Sequence, residues 1–104
     1  MFLTDAALRD LETIDDYIYS FDSARKADDV LQKIETALES LAELPLRGAH
    51  PKELLQLGIR DYREIYFKPY RIIYRTGGQR VDVYLITDGR RDMQSLLSAR
   101  LLGA

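Results

Sequence analysis

The chemistry open to this chain lies mainly in its arginines. Arg90 and Arg91 are adjacent and stand just before Asp92, a residue type that caps helix starts. Cations are disfavoured there by the positive end of the helix macrodipole. Either they pair with Asp88 or Asp92, or they face an anionic partner, since guanidinium groups grip carboxylates and phosphates bidentately. Arg63, Arg71 and Arg75 fall in alternating segments. They either extend the same cationic surface or pair across strands with Asp61, Glu64 and Asp82. Tyr62, Tyr66, Tyr70 and Tyr74 recur at every fourth position. They offer a stacking platform for bases or, as we expect, cross-strand packing.

Other chemistries find little support. His50 is the single histidine and lies between Ala49 and Pro51 with no orienting partner, so it lacks the constellation that acid–base catalysis needs. There are no cysteines, which excludes disulfides and thiolate metal sites. Gly77-Gly78 reads as a hairpin turn and not as a phosphate cradle. The acids near the N-terminus recur at helical spacing as a solvated face, whereas hard metal sites need converging oxygens. We therefore expect no catalytic residue, no metal site and no cofactor. The 104 residues make one domain, 1–104. The chain has neither a secretory signal nor a spanning apolar run, so a soluble, cytoplasmic protein without membrane contact is expected. The net charge of −2 hides an asymmetry: residues 1–44 hold 11 acids and 4 bases, and residues 45–104 hold 11 bases and 6 acids. Such a split suggests either two faces with different partners or two halves that attract each other.

These residues must be positioned by a small set of elements. Residues 1–4 suit a short edge strand, and Thr4 or Asp5 caps a helix whose inner stripe is Leu8, Leu11, Ile14, Ile18 and Phe21. Asp10, Glu12, Asp15 and Asp16 fall largely outside that stripe. Asp22-Ser23 starts a second helix carrying Ala27, Val30, Leu31, Ile34, Leu38 and Leu41, which Pro45 stops. The short connection makes the two helices an antiparallel hairpin. Residues 45–58 form a connector, with Leu54, Leu55 and Leu57 expected to plug the core edge. From Ile59 the period becomes two. Ile65 and Phe67 share a face with Asp61 and Arg63; Tyr70, Ile72 and Tyr74 oppose Arg71, Ile73 and Arg75; Val81, Val83 and Leu85 oppose Asp82, Tyr84 and Ile86. Lys68-Pro69 and Thr76-Gly77-Gly78-Gln79 turn the chain into a meander. Asp92 then caps a last helix with Met93, Leu96, Leu97 and Leu101 inward, ended by Gly103. The fold class is α+β: an N-terminal antiparallel helical hairpin packed on a small antiparallel sheet, with a short C-terminal helix.

Four runs carry a resemblance. They are Ala-Leu-Arg-Asp-Leu-Glu-Thr-Ile-Asp-Asp-Tyr-Ile at 7–18, Leu-Ala-Glu-Leu-Pro-Leu-Arg-Gly at 41–48, Tyr-Arg-Glu-Ile-Tyr-Phe-Lys-Pro-Tyr-Arg-Ile-Ile-Tyr-Arg at 62–75, and Asp-Gly-Arg-Arg-Asp-Met-Gln-Ser-Leu-Leu at 88–97. In this order they resemble the RelE/ParE superfamily of toxins from type II toxin–antitoxin modules, and its ParE branch more closely. The RelE branch implies ribosome-dependent cleavage of messenger RNA, with a tyrosine or histidine on the closing helix. Here Leu96 or Leu97 stands near that place, and neither side chain transfers a proton. A sequence pI near 5.3 also departs from the basic balance of RNA-holding proteins. The ParE branch implies inhibition of DNA gyrase by binding, with Arg90, Arg91, Arg63, Arg71 and Arg75 as the target-binding set. An RNA-cutting toxin, or a relic that binds antitoxin without toxicity, is the alternative.

The resemblance also implies a partner: a ParD-like, DNA-binding antitoxin whose C-terminal segment folds on the toxin in a hetero-oligomer, as in modules that stabilise plasmids. It would lay a helix and a strand across the hairpin and sheet edge. Leu11, Ile14, Ile18, Phe21 and Leu44 are the expected contacts, with Ile18, Phe21 and Leu44 exposed until it binds.

Overall fold

The computed structural model describes residues 1–103. Strand β1 (Phe2–Leu3) leads into helices α1 (Asp5–Phe21) and α2 (Ala24–Glu43). A single helical turn, α3 (Lys52–Leu55), interrupts the connector. Strands β2 (Tyr62–Phe67), β3 (Tyr70–Gly77) and β4 (Arg80–Asp88) follow, and α4 (Met93–Leu102) closes the described chain. Side-chain caps start the three longer helices: Thr4 accepts from the Ala7 N–H, Ser23 from Lys26 and Asp92 from Ser95. Gly103 adopts a left-handed conformation (φ 70°) and terminates α4. None of the described helices is long and apolar enough to cross a membrane.

The sheet is four-stranded in the order β1-β4-β3-β2. The meander β2–β3–β4 is antiparallel, and β1 adds to β4 in parallel, pairing Phe2 with Asp82 and Leu3 with Val83. Side chains on β3 alternate between two cores. Ile72 and Tyr74 join Ile34, Leu38 and Leu41 beneath the helical hairpin; Ile73 joins Leu54, Leu85, Met93 and Leu97 beneath α3 and α4.

Three expected patterns are corrected. On β4, Ile73 pairs with Leu85 but Tyr74 pairs with Val83, so Tyr84 is bulged out of register. The bulge flips the faces beyond it: Val81, Val83 and Ile86 reach the hairpin core while Leu85 reaches the other. On α1, the inner stripe is Ala7, Leu11, Ile14 and Ile18, one helical track. Leu8 lies off that track, and Phe21, at the helix end, is 77% exposed with its ring 4.8 Å from that of Tyr17. Of the three leucines expected to plug the core edge, only Leu54 is buried; Leu55 and Leu57 remain exposed.

Asp10 also turns inward. Arg100 Nη1 and Nη2 donate to its two carboxylate oxygens at 2.8 and 2.9 Å, and the Ile86 N–H donates to Oδ2 at 3.0 Å. Arg100 also donates to the Tyr84 carbonyl. This pair satisfies the outer edge of β4 where β1 ends. It also ties α1 to α4 and holds the Arg100 guanidinium firmly protonated.

The connector is fixed by a second network. Buried Tyr74 donates its hydroxyl proton to the Pro45 carbonyl at 2.7 Å and accepts from the Gly48 N–H at 3.0 Å. Ala49 and Glu64 exchange backbone hydrogen bonds. A Cβ at Gly48 would lie 2.6 Å from both the Glu64 carbonyl oxygen and the Tyr74 hydroxyl. Gly48→Ala is expected to destabilise the fold by about 1–3 kcal/mol in urea denaturation. Gly77→Ala, where a Cβ meets nothing within 4 Å, should stay within about 0.5 kcal/mol of wild type.

Candidate functional site

Strand β3 carries the centre of the site. Arg71 is 5% exposed, which for a guanidinium demands full pairing. Its Nε donates to Glu64 Oε1 at 2.6 Å, and Nη1 and Nη2 donate to the two carboxylate oxygens of Glu53 at 2.8 Å each. Glu64 lies on the neighbouring β2, diagonally placed, while Glu53 comes from α3. The Arg71 bonds hold the Glu53 carboxyl below its usual range, and the two acids push the Arg71 pKa well up. The same arginine sets the next loop. Gly89 packs against its stem, where a Cβ would lie 2.7 Å from Arg71 Cδ, and the Gly89 N–H donates to the Pro69 carbonyl at 2.8 Å.

That loop carries Arg90 and Arg91. Arg90 folds back on Asp88, with Nε to Oδ1 at 2.9 Å and Nη2 to Oδ2 at 2.6 Å, while its side chain stays 79% exposed. Arg90 holds the Asp88 carboxyl below its usual range. Arg91 is exposed and reaches only the Thr87 hydroxyl at 3.5 Å; it has no ion-pair partner among the described residues. Asp92 is engaged by the Ser95 hydroxyl and N–H, which lower its pKa.

The structure thus separates the five arginines singled out in the sequence. Arg90 and Arg91 stand together on one exposed loop. Arg75 is half-exposed on β3, 4.0 Å from Asp61 and above the Tyr62 ring. Arg71 is interior and saturated, and Arg63 donates to the Leu46 and Gly48 carbonyls, pinning the connector. Arg71 presents no free guanidinium, and Arg63 spends its Nη1 on the connector. The tyrosines divide as well: Tyr62 packs under α4, while Tyr70 and Tyr74 pack on the hairpin side, so no four-ring platform forms. His50 Nδ1 sits 3.0 Å from the Tyr62 carbonyl, which only accepts, so Nδ1 carries a proton and braces the connector.

Two concavities flank the Arg90–Arg91 loop. One is a groove between α1 and β4, floored by Ile14, Tyr17, Ile18, Tyr70 and Ile86, with both arginines at its mouth. It runs on past Tyr17 toward Phe21 and Phe67. Of the expected apolar contacts, Ile14, Ile18 and Phe21 line these grooves. Ile18 is 9% exposed and belongs to the core, so it is not a surface residue awaiting cover. Leu11 is half-buried against the hairpin core, and Leu44 stands exposed at the far end of α2. That end is about 30 Å along the helix axis from Phe21. The other concavity lies beyond the loop, among Lys52, Tyr66, Lys68, Arg71 and Arg91. Sequence reasoning names Tyr66 only as one of four tyrosines expected to pack across strands, and gives Lys52, Lys68 and Glu53 no place in any site. Glu53 left no local signal, because only the tertiary placement of α3 brings it to Arg71.

The saturated arginine makes two predictions. Arg71→Met leaves two carboxylates without their cation and should cost about 3–5 kcal/mol in equilibrium unfolding. For Glu53 the folded pKa is depressed, so its contribution is present above its unfolded value of 4.5 and fades as pH falls through the folded value. In urea unfolding across pH, Glu53→Gln should be less stable than wild type at neutral pH, and the gap should narrow as pH falls below 4.5.

A family model for the ParE toxin of type II toxin-antitoxin systems, parDE, matches residues 1–93. The match ends where α4 begins. No curated protein matches the chain. Ten solved chains do. One, titled "Chromosomal ParDE TA system from P. aeruginosa", superposes with a TM-score of 0.70 at 22% identity, covering 84% of this chain and 91% of that one. At that identity the likeness carries the fold: a helical hairpin, an antiparallel-dominated sheet and a short closing helix.

Proposed function

Because this chain belongs to the ParE toxin family of type II toxin–antitoxin systems, we propose that it inhibits DNA gyrase by binding and that a ParD-like antitoxin neutralises it. The observation that carries the reading is the Arg90–Arg91 loop, held at its base by the saturated Arg71 and exposed at its tip. Arg91 offers a free planar cation fixed to a rigid sheet, the arrangement suited to an anionic partner surface. Proton-transfer chemistry has no support at this place. Glu53 and Glu64 are engaged by Arg71, and Leu97 is fully buried. We therefore read the toxin as a non-enzymatic inhibitor acting in the cytoplasm.

The α1–β4 groove supports the antitoxin half of the proposal. Its floor is apolar and its mouth is formed by Arg90 and Arg91. A segment folding into it would cover apolar side chains and the toxin's own cations in one step. Phe21, beside the turn between the helices, extends the contact.

Purified gyrase should lose supercoiling activity in the presence of the toxin, and the antitoxin should restore it. Arg90→Ala combined with Arg91→Ala should abolish inhibition while leaving thermal stability nearly unchanged, because both side chains are exposed. Intact inhibition in this variant, or cut messages in a translating extract with gyrase unaffected, would contradict the proposal. Phe21→Asp should weaken antitoxin affinity by about tenfold or more, as truncating a central apolar anchor does, measured by calorimetric titration.

A further inference from the structure

The concavity on the far side of the loop from the α1–β4 groove has a lining that gyrase binding by Arg90 and Arg91 does not explain. It lies between α3, the β2–β3 turn and the start of α4. Its lining acids are Glu53 and Asp92, the first engaged by Arg71 and the second by Ser95. Its cations are different. Lys52, Lys68 and Arg91 are exposed, and none has an ion-pair partner among the described residues. The cleft therefore presents uncompensated positive charge from three separate elements around one hollow. Between them stands Tyr66, 59% exposed, with its ring centroid 5.8 Å from the Arg71 guanidinium carbon. An aromatic ring left open on a strand beside unpaired cations is the pattern of a single-strand site, where phosphates meet the cations and a base stacks on the ring.

We propose that this cleft binds single-stranded nucleic acid, holding the phosphodiester backbone on Lys52, Lys68 and Arg91 and stacking an unpaired base on Tyr66. The Tyr66 hydroxyl donates to Glu64 Oε2 at 3.3 Å, and an acidic peptide would satisfy the cations but would leave the exposed ring uncovered. A duplex would keep its bases stacked on each other and away from Tyr66. Both carboxylates near the ring are engaged by Arg71, and burial and the neighbouring Glu64 raise the Tyr66 pKa. With Glu53 and Glu64 occupied by Arg71, we expect the strand to be held and not cut. The proposal adds to the gyrase reading without requiring it, and its test contains no topoisomerase.

The test is fluorescence anisotropy of a labelled oligothymidylate of about 12 nucleotides, within the usual span of a single-strand site, titrated with the full chain at low and moderate salt. Saturable binding that weakens as salt rises is expected. Lys52→Glu with Lys68→Glu should lower affinity at least about tenfold at low salt. Tyr66→Ala should lower it by about 5- to 100-fold, the range for losing one stacked base, and Tyr66→Phe should retain it. Arg9→Glu with Arg25→Glu, an equal charge change on exposed positions of α1 and α2, should leave it unchanged. The oligonucleotide should be recovered intact. Several results would overturn the proposal: no saturable binding at low salt, equal loss in the α1–α2 control, full affinity in Tyr66→Ala, or equally effective competition by polyglutamate. All the substituted side chains are exposed, and circular dichroism melting verifies that each variant folds.

Discussion

The structure turns on one buried cation. Removing a guanidinium from water costs several kcal/mol unless its donors are met by well-placed acceptors. Arg71 meets that condition with a bidentate bond to Glu53 and a further bond to Glu64. The cost of separating these groups is what fastens α3 to the sheet, since a single helical turn has little cohesion of its own. It also fixes the stem of Arg71, against which Gly89 packs with no room for a side chain. The loop that follows therefore leaves the sheet in one direction. The acids that might have offered proton transfer beside the cationic cleft are the same ones that hold Arg71.

This arrangement sorts the basic residues into structural and presented sets. Arg71 and Arg100 are consumed by carboxylates of the fold, and Arg63 pins the connector through Nη1. Arg90 is steadied by Asp88, and Arg91, Lys52 and Lys68 are left facing outward. Across the charge asymmetry of the chain one ion pair is formed, Asp10 of the acidic half with Arg100 of the basic half, while Lys52, Lys68 and Arg91 of the basic half border one cleft. In the proposed reading, the apolar groove and the cationic cleft share that loop. An antitoxin seated in the first would lie against residues that border the second, so neutralisation needs no change of the toxin's shape.

Much of the fold was legible in the sequence because its signals are local. Ser23, Pro45, Gly77-Gly78, Asp92 and Gly103 mark the element ends by their own backbone chemistry, and the hydrophobic stripe of α2 is buried as read except at Leu31, which is half-buried. The Tyr84 bulge was not legible, because the alternation of β4 continues unbroken through it and only pairing with β3 reveals the slip. The α1 stripe is right at Leu11, Ile14 and Ile18 and wrong at Leu8 and Phe21, which are apolar but exposed. The site was legible only in part. The Arg90–Arg91 pair announced itself by standing at a helix start. The roles of Arg63 and Arg71 depended on a connector and a short helix whose positions no local pattern specifies.

In the proposed reading, the Arg71 clamp sets the loop that binds gyrase. The most direct test is the potency of Gly89→Ala against gyrase, compared with its stability. A Cβ there would press on Arg71 Cγ and Cδ at 2.8 and 2.7 Å, and the locked guanidinium leaves the stem little freedom to yield. The expected result is a folded protein whose inhibitory potency falls at least about tenfold, the scale of one misplaced binding group. Wild-type potency in a folded Gly89→Ala variant would contradict it.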